Sequence, residues 1–242
     1  MAGSAAVYVS EAFGWPALYD FSGVPVFNNY AIVWLILLVA LFNSFLGKGY
    51  NELYRVTASI FGRHQHRKLI GKVVIGMVLA TTLAYAVNPG ILSVSEEMVH
   101  AILKGDIILL RGRLPVRLPI YAVFLILAVA KSLSTTVTVG SGMSAGFVGP
   151  TLLVGMLTAG AVGATLGVSV DSGEYTALLA AGFASMLAST INVPIAAAVL
   201  ALELFGLSYS FPAAISAVIG YQVNRFNTLY DYATKEEFSD SS

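Results

Sequence analysis

The chain has 242 residues, 57% of them hydrophobic and 11% charged, with a mean hydropathy of +0.80. Average soluble domains carry about 25% charged residues, so the composition excludes that class and points to an integral membrane protein, and the apolar spans below are read as helices of an all-α one. The 13 basic and 13 acidic residues cancel and cysteine is absent, which leaves no net pull on nucleic acid, no disulfide framework and no thiolate metal site.

The opening Met-Ala-Gly-Ser-Ala-Ala lacks a basic region followed by an apolar one, so no cleavable signal peptide is expected. Tyr30 to Gly47 is uncharged and about long enough to cross a bilayer as a helix. Leu69 to Val87 is a second span, interrupted only by Lys72 near its start, which can snorkel to the interface. After Asn88-Pro89-Gly90, the piece from Ser95 to Lys104 is amphipathic, with Glu96 and Glu97 in its first turn as the helix dipole favours. It is too short and too polar to span. Leu118 to Val139 is the third span, entered through Pro119 and holding one charge, Lys131, well inside.

A glycine-rich break follows from Gly140 to Pro150, within a segment that carries no charge from Ser132 to Val170. In hydrocarbon every backbone N–H and C=O needs a partner, so a broken helix persists only where it is buried in protein or lines a wet cavity. The second half-helix is expected to begin near Phe147, with its first N–H groups free and its dipole positive, an arrangement that attracts anions. From Ala145 onward the sequence reads as short apolar pieces rich in glycine and alanine. They are cut at Asp171-Ser172-Gly173-Glu174, at Asn192-Val193-Pro194 and at Ser210-Phe211-Pro212. Pro194 and Pro212 suit the first helical position, and Asp171 or Ser172 can cap the helix carrying Glu174 and Tyr175. About eight helices are expected in all, several of them tilted or incomplete. Gly155, Ala159, Gly160 and Gly163 let helix backbones approach closely in lipid.

Basic residues gather in two places: Lys48, Arg55, Arg63, His64, His66, Arg67, Lys68 and Lys72, then Lys104, Arg111, Arg113 and Arg117. Phe13 to Asn29 has no Lys or Arg. The positive-inside rule places both basic loops in the cytoplasm and the early segment outside, provided that Ser95 to Lys104 returns as a re-entrant piece. His64 and His66 have no companions at metal-ligand spacing and are read as loop residues, so no metal site is expected. Lys131 and Glu203 are the two most deeply placed charges. A functional role is the default for such groups, against which stands a structural one, pairing with each other or reaching the cytoplasmic interface.

The run Ala130 to Gly155 (AKSLSTTVTVGSGMSAGFVGPTLLVG) and the run Ala181 to Gly206 (AGFASMLASTINVPIAAAVLALELFG) together resemble the CLC family of chloride channels and chloride/proton exchangers. The first matches that family's Gly-x-Phe-x-Pro region at the start of its helix N. The second matches its helices O and P, where a proline follows a turn and a Leu-Glu pair closes the helix. The resemblance extends from Phe13-Gly14-Trp15 to Tyr230. It implies an anion site in which Phe147 and Val148 offer backbone N–H groups, Gly146 and Gly149 permit close approach, and Pro150 starts the helix. Tyr230, in Thr228-Leu229-Tyr230-Asp231, matches the tyrosine whose hydroxyl points at the same ion. A neutral pocket of amides and hydroxyls binds a halide without holding it as tightly as a buried Lys or Arg would.

The chain departs from the family pattern in two ways. Val148 stands where phenylalanine is usual, with Phe147 one place earlier. The Gly-Ser-Gly-Ile-Pro and Gly-Arg-Glu-Gly-Pro segments, which supply the pore serine and gating glutamate, are absent from the sequence, as is the acid that relays protons from inside. The resemblance therefore implies the second of two inverted repeats plus the final helix. Residues 1–29 are expected to be the end of a preceding helix and an extracellular loop, 30–233 the membrane repeat, and 234–242 a polar cytoplasmic tail. The expected partners are chloride or a similar small anion, the lipid bilayer, an N-terminal half in the same or a separate chain, and a second copy contacting Pro194 to Gly206 and Phe211 to Asn224. No cofactor and no nucleic acid are implied. Channel and exchanger differ in acids that lie outside this sequence. The alternative reading is a non-transporting or degenerate half-size membrane subunit. An enzyme is not expected, because the spans lack a paired Asp/Glu, a Ser/His dyad or a His cluster.

Overall fold

A computed structural model describes residues 25–62, 69–92, 96–144, 146–226 and Leu229. The described residues are all-helical, with no strand among them. A 3-10 turn at Tyr30–Ile32 leads into α1 (Val33–Phe61), followed by α2 (Leu69–Val87), a 3-10 turn at Pro89–Leu92, α3 (Glu96–Lys104) and α4 (Ile107–Arg111). Then come α5 (Ile120–Gly140), α6 (Val148–Thr165), α7 (Gly173–Ile191), α8 (Pro194–Phe205), a 3-10 turn at Leu207–Tyr209 and α9 (Ser210–Asn224). By length and composition α1, α5, α6 and all but the first residue of α2 are apolar enough to cross a membrane.

Helix α7 is the axis of the fold. Every one of its residues except Glu174 is buried, and α1, α6, α8 and α9 pack around it. The small residues of its sequence make this possible, because helices associate in lipid through close backbone packing and interhelical hydrogen bonds. A Cβ on Gly155 of α6 would stand 2.5 Å from the carbonyl oxygen of Gly182, and one on Gly220 of α9 would overlap that of Ser185. The end of α7 is closed by polar side chains from its neighbours. Asn224 Nδ2 donates to Ser189 O at 2.8 Å and Asn51 Nδ2 to Thr190 O at 3.2 Å. Asn192, left-handed at φ 62°, donates its N–H to Ala188 O at 3.1 Å. Three of the carbonyls that a helix end leaves open are thereby satisfied.

Several expectations are met closely. Helix α2 has the limits read from the sequence, Ser172 Oγ accepts from Tyr175 N at 3.2 Å, and Pro194 occupies the first turn of α8. Others need correction. The first helix does not stop at Gly47 but continues to Phe61, where Gly62 at φ 55° ends it. Gly47, Tyr50, Asn51, Tyr54, Thr57 and Ala58 prolong one buried face at helical spacing, while Lys48 and Arg55 are exposed on the helix rather than in a loop. The stretch after Ala145 is cut into α6, α7, α8 and α9 where the sequence placed the cuts, but α6 and α7, of 18 and 19 residues, are longer than the short pieces expected. The described residues form nine α-helices rather than about eight; α4 is a short one started by Asp106, whose Oδ1 accepts from Ile108 N and Leu109 N. Pro212 is the third residue of α9, not the first, a position whose N–H has no partner within the helix.

The two basic groups lie at opposite ends of α2. Lys72 Nζ donates to Gly62 O at its start, whereas Arg113 N donates to Val87 O, the last residue, at 3.0 Å.

Candidate anion site at the interrupted helix

Helix α5 ends at Gly140, and its C-terminal turn is gripped by two neighbours. Thr57 Oγ1 of α1 donates to Thr136 O at 3.0 Å, and Ser141 lies so close to Gly76 of α2 that a Cβ there would overlap it. Gly76 is seven residues into α2, about 10 Å along its axis at 1.5 Å per residue. The break therefore lies inside the thickness spanned by α2, as an interrupted intramembrane helix requires. After Ser141 the chain turns through Gly142 at φ 99° and enters α6 from Phe147.

The sequence-predicted residues Gly146, Phe147, Val148, Gly149 and Pro150 form one helix start. Phe147 is buried, its ring edge-on to that of buried Tyr54 on α1, with centroids 5.3 Å apart and planes at 79°. The phenyl ring is thus an anchor that holds the backbone, while the neighbouring side chains leave the backbone uncovered. Val148 is 40% exposed, Gly146 is exposed, and a Cβ on Gly146 would meet nothing within 4 Å. Among the described residues no side chain caps the helix. Thr151 Oγ1, the nearest hydroxyl in the turn, instead donates to Phe147 O and Val148 O, both at 2.9 Å. The N–H groups of the first turn keep their hydrogen-bonding capacity, and the positive end of the α6 dipole supplies the local charge.

Residues 1–225 match the sequence family described as voltage gated chloride channel. The chain belongs to the voltage-gated chloride channel family. A relative, an uncharacterized protein of Methanocaldococcus jannaschii, is 32% identical over 199 residues, which make up 82% of this chain and 45% of the relative. The chain spans less than half the length of that relative.

In this chloride-channel family member the remaining candidates are dispersed. Tyr230 lies outside the described residues; its neighbour Leu229 is helical and buried. Lys131 is buried, 2% exposed, and its Nζ donates to Ile91 O at 2.7 Å, tying α5 to the turn after α2. Glu203 is exposed on α8, and the expected pairing of these two charges is not made. His64 and His66 lie outside the described residues, and among the described residues there is no group of three or more metal-ligating side chains.

Sequence reading missed the residues that hold the site. Tyr54, Thr57 and Asn43 sit on α1, and Asn43 Oδ1 accepts from Thr158 Oγ1 of α6. A signal was available for Asn43: an amide in an otherwise apolar run marks a helix–helix contact in lipid. Tyr54 lay in a stretch taken for a loop, where no face could be assigned.

Proposed function

We propose that the chain contributes the C-terminal half of a CLC-type pathway for chloride or a similar small anion, the other half coming from a further segment of the same polypeptide or from a separate chain. The observation that carries this reading is the uncapped α6 start, with Phe147 anchored on Tyr54 and the backbone beside it uncovered, in a segment free of charge from Ser132 to Val170. Amide donors with no fixed cation bind a halide weakly enough to release it, which conduction needs. Gly146, Phe147, Val148, Gly149, Pro150 and the hydroxyl of Tyr230 make up the protein's share of the site. Association as a homodimer through α8 and α9, where Ile195 on α8 and Leu207 in the turn between the two helices are more than 80% exposed, belongs to the same reading. So does a cytoplasmic C-terminal tail. Channel and antiporter remain equally compatible with it.

The test is chloride efflux from proteoliposomes holding the native assembly, with Val148→Asp as the perturbation. A carboxylate in the first turn is favoured by the helix dipole, by about 0.3–1 kcal/mol, yet it occupies the place of the anion. Flux should fall more than tenfold while the melting temperature is unchanged or higher. Undiminished flux would remove α6 from the pathway. Absence of flux in the wild-type assembly would instead favour the non-transporting subunit.

A further inference from the structure

A second polar feature lies at the far end of α2. A surface groove of about 410 Å³ is lined by Thr81, Thr82, Tyr85, Ala86 and Arg113. Arg113 is fixed there from two directions. Its backbone N–H donates to Val87 O at 3.0 Å, and its guanidinium carbon stands 3.8 Å above the centre of the Tyr85 ring. Stacking holds a guanidinium by its face and leaves its in-plane N–H donors open, and among the described residues none of them has an acceptor. The segment that carries Arg113 is net positive: from 104 to 117 it holds Lys104, Arg111, Arg113 and Arg117 against one acidic residue, Asp106, whose carboxylate is occupied in starting α4. Arg111 braces the turn by donating to Pro115 O and Val116 O, which leaves Lys104, Arg113 and Arg117 exposed.

Apolar surface continues the groove in the direction of the membrane. Val74, Ile75 and Val78 are each more than half exposed and precede Thr81, Thr82 and Tyr85 at helical spacing, so one face of α2 runs from hydrocarbon side chains to hydroxyls to a guanidinium. Beside it Ile108 and Val116 are exposed by 87% and 83%. Apolar side chains flanked by arginines at the end of a spanning helix suit the boundary between acyl chains and headgroups.

We propose that this groove holds an anionic phospholipid of the surrounding bilayer. The phosphate would meet the open edge of the Arg113 guanidinium and the threonine hydroxyls, and an acyl chain would lie along Val74, Ile75 and Val78. The planar fork of arginine takes phosphate and carboxylate alike, and the exposed apolar stripe beside it is what gives a lipid the advantage over an acidic protein surface and over free phosphate.

The experiment is native mass spectrometry of the intact assembly released from detergent, with phosphatidylglycerol and phosphatidylcholine offered in equal amounts. Phosphatidylglycerol should be retained about fivefold better, the factor expected for one basic group near the surface. Arg113→Gln should abolish the preference, Arg113→Lys should keep part of it, and Arg55→Gln, at the other end of the bundle, should leave it intact. An unchanged melting temperature in Arg113→Gln would show that the fold survives. Equal retention of the two lipids, a preference unaffected by Arg113→Gln, or displacement of phosphatidylglycerol by millimolar inorganic phosphate would each overturn the proposal. The same holds for protection of position 113 by a polypeptide within the assembly.

Discussion

The division of labour at the α6 start, ring as anchor and backbone as ligand, makes a quantitative prediction about Phe147. In a soluble core Phe→Ala costs about 3–5 kcal/mol, much of it hydrophobic transfer. In lipid the transfer part largely vanishes, because acyl chains are as apolar as the side chain. What remains is the cavity left beside Tyr54 and the edge-to-face contact at 5.3 Å, itself about 0.5–1.5 kcal/mol. A total near 2 kcal/mol is therefore expected for Phe147→Ala, with Tyr54→Leu removing the shared aromatic part. A double-mutant cycle on unfolding in mixed detergent micelles should give a coupling of about 0.5–1.5 kcal/mol between the two positions. Halide titration by calorimetry should then show affinity falling toward tenfold in Phe147→Ala, as about 1.4 kcal/mol of pre-organisation is lost, and little change in Phe147→Leu. Zero coupling, or a destabilised Phe147→Ala variant that binds halide as wild type does, would refute the anchoring role.

Three further outcomes follow from the packing. Gly155→Leu drives a side chain into the backbone of Gly182 and should cost more than the roughly 1–3 kcal/mol of ordinary overpacking, seen as loss of the monodisperse peak in size-exclusion chromatography. Lys131→Met removes the donor to Ile91 O and should lower stability by about 1.5–3 kcal/mol while chloride flux per folded protein stays constant; a selective loss of flux would give Lys131 a part in conduction. Glu174, at the loop edge of α7, has its carboxyl held below the ordinary glutamate value of 4.5 by its own backbone N–H and by Asn29 Nδ2 at 3.1 Å. Its stabilising effect is therefore complete above that value and is lost as pH falls below it, so the melting temperature should drop on acidification and Glu174→Gln should flatten the drop.

The parts of the fold legible in the sequence were those with a local chemical cause. Lys72 and Asn88-Pro89 bracket α2, Ser172 caps α7, Pro194 opens α8, and the glycines after Val139 break the helix where the structure breaks it. The misreadings arose where tertiary contacts overrode a local signal. Gly47-Lys48-Gly49 looks like the end of a span, yet the helix passes through it because Gly47 fits against Ser189, Asn51 donates to Thr190 O and Tyr54 packs on Phe147 beyond it. Gly155, Gly160 and Gly163 of α6, read from the sequence as close-packing positions, are contact points in the structure. At the site, hydropathy and motif could locate the helix start at Phe147, but which side of it faces protein depends on Tyr54, 93 residues earlier by sequence number.

The strongest physical demand that the structure makes is at that same start. Ser141, where α5 ends, lies opposite Gly76, about 10 Å inside α2, so the break begins beside the interior of that helix and not beyond its end. Unsatisfied backbone donors in hydrocarbon cost several kcal/mol apiece, and soluble helices meet the demand with a capping side chain or water. Among the described residues no side chain caps it, Thr151 turns its hydroxyl toward carbonyls, and a Cβ on Gly146 would meet nothing within 4 Å beyond its chain neighbours. Such a terminus is stable in a membrane only when something polar from beyond these helices meets it. The anion proposed here, hydrated in a cavity closed by a second membrane segment, would meet those conditions, whereas a serine or aspartate at position 147 would cap the helix without any ligand.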